Sequence, residues 1–342
     1  MPSTLQSQKH HPHRRLERLQ KHLLAAARSA SNGGTVWSEL ITGATKLISA
    51  GEGIFETEIT PAICWGADIH DGGYAMDATC HGGAMTAIAL DCTSRSVNAE
   101  RGDYPHPLSA NATFVGRAVP GPCQVHVNVI KRGRTMAQAI TRLVQNGKPA
   151  LLLTSIFGTL PPADKTGSAL QVLDPHRNAL PARESCVRVE DKIAQEWTLG
   201  IIELYFPSET HAHLLQALED KETRLDGSLA GTPMWCALAD RSDFDFTTLA
   251  FVADSAFSGD WMSCITDWSD KEGGVWDATV SLTLCWHKPP TGSWLRITSS
   301  SQVISRHRHE NQLLMYDEHG ELTATANLLQ TTQQIAQAPP AQ

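Results

Sequence analysis

Apolar and polar positions change rhythm along the chain in an ordered way. "GIFETEIT" (53–60) alternates apolar and polar residues, which predicts a half-buried strand. "GTVWSELITGATKLISAGEG" (34–53) before it predicts a helix, or a helix plus a turn. "HGGAMTAIALDCTSRSV" (81–97) starts at a glycine pair and stays small and apolar for most of its length, which predicts a helix. Strand-like runs follow: "ANATFVGRAV", "CQVHVNVIKRG", "TMAQAITRLVQNG" and "KPALLLTSIFG". Turn signals separate them at 120–122, 132–134 and 145–147, and Asn146-Gly147 is a strong hairpin signal.

Residues 161–192, rich in Pro, Ala and polar residues, break the pattern and are expected to be a linker. The plan then repeats. "FDFTTLAFVADSAFSG" (244–259) predicts a largely apolar helix. "VWDATVSLTLCWHKP", "SWLRITSSSQVISR", "HENQLLMYDEHG" and "ELTATANLL" predict strands, with turns at 289–292 and 318–320. The same succession of helix, strand, Pro/Gly turn, strand and hairpin occurs twice, so the chain is an internal duplication. The expected units are a tail over 1–30, one half over 31–160, the linker, a second half over 193–332 and a tail over 333–342.

Within the second helix Asp254 stands alone among apolar neighbours. A buried carboxylate without partners is costly. Asp254 is therefore either a helix cap or a group held in a partly dry place for chemistry.

The 342 residues suit two domains, and a net charge of −8 argues against a general nucleic-acid binder. No apolar run is long enough to span a bilayer. Residues 1–30 carry Lys9, Arg14, Arg15, Arg18, Lys21 and Arg28 against Glu17 alone. They can form a basic helix after Pro12, with a composition like a mitochondrial presequence but without a secretory apolar core. The expected compartment is the cytoplasm, with the mitochondrion as the alternative. Eight cysteines without a CxxC pair are expected to be free thiols. His211, His213, His307 and His309 lack zinc-site spacing and are expected at the surface. There is no G-x-S-x-G elbow, phosphate loop or dinucleotide fingerprint.

A long apolar helix wrapped by an antiparallel sheet, present twice, is a double hot-dog of the α+β class. The chain resembles the thioesterase-like superfamily, in particular its acyl-CoA thioesterase II branch, over roughly residues 35–330. The resemblance rests on "HGGAMTAIALD", on the first-sheet run from "HPLSANATFVGRAVPGP" to "LVQNGKPALLLTSIFG", on "VADSAF", and on "ATVSLTLCWHKPPTGSWL" with "YDEHGELTATA".

The resemblance implies that an Asp, a Thr and a Gln hold a water that attacks a thioester carbonyl. Asp254 and Thr279 match the first two. The Gln position falls on Leu328, a departure; Gln330 lies two residues on, hence on the same face of a continuing strand. Such chemistry wants a carboxylate to take or polarise the water's proton, and a hydroxyl and a carboxamide to orient it. Backbone N–H groups at a helix start can meet the developing oxyanion. His81, Gly82 and Gly83 are the candidate substrate-binding residues at that helix start. Arg117, Lys131, Arg132 and Arg134 are either solvated or meet CoA phosphates.

The implied substrate is an acyl-CoA or an acyl group on a carrier protein, with no metal or redox cofactor. Divergent members occur in fungal specialised-metabolite pathways, which implies a polyketide or branched acyl chain. Family members often assemble further, so a homo-oligomer is an expected partner. Two other readings stay open: a repurposed hot-dog that binds without hydrolysing, favoured by Leu328, and a hydratase or dehydratase, whose pattern "GDYPHPLSAN" echoes only faintly.

Overall fold

The computed structural model describes residues 37, 40–41, 46–49, 53–65, 69–70, 73–74, 78–100, 102–161, 182–189, 198–212, 233–256, 275–301, 304–305 and 308–334. The basic tail, most of the expected linker, Cys264, His213 and His307 lie outside them.

The sheet strands are β1 (Lys46–Ser49), β2 (Ile54–Ile59), β3 (His106–Phe114), β4 (Gly121–Arg132), β5 (Ala137–Gln145), β6 (Lys148–Gly158), β7 (Cys186–Arg188), β8 (Ile202–Pro207), β9 (Pro233–Leu238), β10 (Val275–Trp286), β11 (Trp294–Ser300), β12 (Arg308–Asp317) and β13 (Leu322–Gln334). Helix α1 spans Gly82–Asn98 and α2 spans Phe246–Ser255. The strands form one 14-stranded antiparallel sheet in the order β1-β2-β4-β5-β6-β3-β10-β13-β12-β11-β9-β8-β7, with Ile304–Ser305 paired to β12. The order β2-β4-β5-β6-β3 around α1 reappears as β9-β11-β12-β13-β10 around α2. The two halves thus share one topology, as a double hot-dog requires. They join where β3 pairs β10, and there Asn111 Nδ2 donates to Thr283 Oγ1 at 2.7 Å.

Alternation explains the strands. In β5, Ala137, Ala139, Thr141 and Leu143 are buried and Gln138, Ile140 and Arg142 are exposed. Asn146 and Gly147 both take positive φ, 51° and 74°, as the primed two-residue turn between β5 and β6 demands. Cys186–Arg188, inside the expected linker, pairs with β8 instead of running free. The backbone bonds to β8 hold it there although Val187 points to solvent.

Both helices are buried, and they pack against each other as well as against the sheet. Small residues permit this. A Cβ on Gly83 would lie 2.8 Å from Phe251 Cα and 2.9 Å from the Ala250 carbonyl oxygen. The glycine pair therefore serves helix–helix contact. Asp245 caps α2 reciprocally with Thr248: Thr248 N–H donates to Asp245 Oδ1 and the Asp245 N–H donates to Thr248 Oγ1, both at 2.7 Å. Lys288, buried after β10, donates to Asp317 Oδ2 and Glu321 Oε2, each at 2.6 Å, and ties the β10 end to the β12–β13 turn. The described cysteines are all free thiols.

Candidate active site

Asp254 lies at the C-terminal end of α2, where a negative charge opposes the dipole of its own helix. It does not cap that helix; Asp245 does. Instead it meets the start of the other helix. Gly83 N–H donates to Asp254 Oδ2 at 2.7 Å, so the partial positive charge of the α1 N-terminus offsets the carboxylate. The Asp254 side chain is 6% exposed, and its Oδ1 has no hydrogen-bond partner among the described residues. A buried carboxylate oxygen in that state is an acceptor without a partner among the described residues.

His81 is the N-cap of α1 and fully buried, not solvated. Its Nδ1 accepts from Gly83 N–H at 3.0 Å and lies 3.3 Å from Asp254 Oδ2. Ser255 Oγ donates to the Phe251 carbonyl at 2.8 Å and lies 3.2 Å from His81 Nε2. Phe251 stacks on the imidazole at 4.5 Å between ring centroids, and Trp65 meets it edge-on at 5.4 Å. Gly82 completes the group: a Cβ there would lie 2.7 Å from Asp254 Oδ2 and 3.0 Å from the Phe114 ring. The structure thus brings together Asp254, His81, Gly82 and Gly83, residues separated by half of the chain.

Thr279 and Gln330 are not among Asp254's hydrogen-bond partners. They stand opposite each other on β10 and β13, the strands on which α2 packs. A register irregularity between Thr279 and Ser281 turns Thr279 onto the same face as Leu282. Leu328, at the expected Gln position, is buried opposite Leu282. The strand continues past it to Gln334, so Gln330 does share the face of Leu328.

Several expected surface groups have other places. His309 is 2% exposed on β12, a correction to its expected surface position, and burial pulls its imidazole down to about 4. It alternates with Asn311, Leu313 and Met315, so the strand period carries it into the core. Arg132 donates to the Ser96 carbonyl at 2.9 Å near the end of α1, and Arg117 to Thr79 Oγ1 at 2.7 Å. In "GDYPHPLSAN", His106 Nδ1 accepts from the Leu160 N–H at 3.0 Å, a structural bond. Trp65, which frames His81 together with Ser255, carries no sequence motif that would single it out.

The comparisons agree with this architecture. Residues 70–158 match the acyl-CoA thioesterase N-terminal domain and residues 194–329 match the acyl-CoA thioesterase C-terminal domain. An uncharacterised protein of Mycobacterium tuberculosis (strain ATCC 25618 / H37Rv) is 25% identical over 273 residues, covering 76% of this chain and 86% of that protein. A putative thioesterase II of Thermobifida fusca YX superposes with a TM-score of 0.65 at 23% identity, covering 85% of this chain and 98% of that one. An acyl-CoA thioesterase II of Mycobacterium marinum gives 0.61 at 14% identity, covering 88% and 100%. At these identities the structures speak for the fold. With both domains matched in order along well over half of its length, the chain belongs to the acyl-CoA thioesterase family.

Proposed function

We propose that the protein hydrolyses an acyl thioester, of CoA or of a carrier protein, with a water held by Asp254. The observation that carries this reading is the buried carboxylate whose Oδ2 is fixed by the Gly83 N–H while Oδ1 has no partner among the described residues. Fixing one oxygen orients the other, so a water bonded to Oδ1 sits in a defined place. The carboxylate takes one of its protons as the oxygen attacks the thioester carbon. The C–S bond then breaks, the proton passes to the departing sulfur, and the products are a carboxylic acid and a thiol. The start of α1 favours the negative charge that develops on the carbonyl oxygen. Thr279 and Gln330 are the proposed hydroxyl and carboxamide that orient water or acyl group from the sheet.

Leu328 favours a second reading, in which the protein binds an acyl thioester without hydrolysing it. One assay separates the two: thiol release from straight, branched and polyketide-like acyl-CoAs by the parent and by Asp254→Asn. Release by the parent that the variant loses supports hydrolysis at this site. Equal release by both moves the chemistry elsewhere. No release by a folded parent favours binding alone.

A further inference from the structure

The inner face of the second half's sheet carries a polar row. His309 on β12 pairs with Gln330 on β13, and Gln330 pairs with Thr279 on β10. The adjoining row on that face is Asn311, Leu328 and Leu282, all buried. Asn311 Nδ2 donates to the Ala256 carbonyl at 3.2 Å, directly after α2, and its Oδ1 accepts from buried Ser299 at 2.8 Å. This bond places the inner face beside the end of the helix that carries Asp254. His309 lies two residues from Asn311, about 7 Å along the strand and on the same side. Its imidazole is hydrogen-bonded to Gln330, and burial keeps it neutral at working pH.

A carboxamide on a strand has several rotamers, and holding one of them requires a partner. The resemblance expects a water-holding amide at Leu328, an aliphatic position. We propose that His309 is a positioning residue: its hydrogen bond holds the Gln330 carboxamide beside Thr279, so that an amide two residues along the strand does the orienting that Leu328 cannot do. This inference rests on the hydrolytic reading, because the amide is held for a water or an acyl carbonyl.

The test is a two-residue cycle in the full chain: His309→Leu, His309→Gln, Gln330→Leu, and Gln330→Leu with His309→Leu. Thiol release gives kcat and KM separately, and thermal melts establish that each variant is folded. The expected result is a fall in kcat of about tenfold for His309→Leu and for Gln330→Leu, with KM within about twofold, the scale of one lost orienting hydrogen bond. The double variant should be no slower than Gln330→Leu. His309→Gln, which can still hold an amide, should recover most of the loss. If His309→Leu does not fold, His309→Gln and Gln330→Leu complete the cycle, with His309→Gln near parent and Gln330→Leu tenfold down. A folded His309→Leu at parent rate, or losses that multiply in the double variant, overturns the inference while leaving hydrolysis standing. A parent that releases no thiol overturns the hydrolytic reading. The nitrogen resonances of His309 then decide: an acyl-CoA thioether that shifts them in the parent but not in Gln330→Leu supports the positioning role, and unmoved resonances overturn it.

Discussion

The duplication builds two junctions between helix starts and helix interiors, and they have opposite contents. At the first, the start of α1 offers His81, Gly82 and Gly83 to Asp254 and Ser255 of α2. At the second, the start of α2 offers Asp245, Phe246 and Thr247. Counting from the two caps, Gly82 corresponds to Phe246, Asp254 to Leu90 and Ser255 to Asp91. The matching holds in space: the His81–Ser255 hydrogen bond is mirrored by the proximity of Asp245 to Asp91. Where the first junction has a glycine with Phe114 against it, the second has Phe246 packed edge-on against Trp286 at 6.3 Å between centroids. Where the first has a carboxylate, the second has buried Leu90. One pseudo-symmetric frame therefore carries one open polar junction and one filled junction. A fold repeat does not repeat the chemistry; the side chains at the junction decide it.

The sharpest way to break this contrast is to neutralise both acids. Asp254→Asn keeps an acceptor for Gly83 N–H but removes the base, and thiol release should fall about 10³-fold. Asp91→Asn should stay within about twofold of the parent, the scale expected away from the reacting groups. Equal losses in the two variants would mean that the second junction also takes part in the reaction.

Packing supplies a second contrast. Gly83→Ala puts a methyl group within 2.8 Å of the Phe251 backbone, which has no side-chain freedom with which to give way. The expected cost is about 2–3 kcal/mol in chemical denaturation. Thr247→Ala, its counterpart, removes the hydroxyl that accepts from Trp37 Nε1 at 2.8 Å, and should cost about 1 kcal/mol. A Gly83→Ala variant as stable as the parent would show that the helices are not locked at the first junction.

The fold was legible because its signals are local. Alternation marked β2, strand-like runs between turn signals marked β4, β5 and β6, Asn146-Gly147 marked the β5–β6 hairpin, and repetition of the whole order marked the duplication. Asp254 stood out for a local reason too, an acid in an apolar run. Its partner was not legible, because a cap on its own helix and a contact with another helix start look alike in one dimension. His309 was misplaced for the opposite reason. Its polar type hid a period that Asn311, Leu313 and Met315 continue. Thr279 faces the helix only through a register irregularity, which no residue pattern announces. β8, β9 and the Cys186–Arg188 strand were not picked out, since each is short and leans on its neighbours for pairing.

The smallest expected effect concerns the acid that the filled junction retains. Burial raises the Asp91 carboxyl, Arg95 at 2.8 Å lowers it in part, and Asp245 raises it further, so the net direction is up. A carboxyl that holds its proton more tightly folded than unfolded stabilises the fold when protonated, and that contribution is lost as pH rises through its folded value. At pH 7 the charged Asp91 is therefore a burden on the fold. Asp91→Asn, which mimics the protonated group, should melt slightly above the parent at pH 7. The gap should close as pH falls into the range where Asp91 itself takes up a proton. Asp254→Asn offers the comparison, because its carboxylate has a helix start to face and Asp91 has another acid. An Asp91→Asn variant that melts below the parent at pH 7 would mean that the Arg95 pair outweighs burial and Asp245. The second junction would then be held together by its charge.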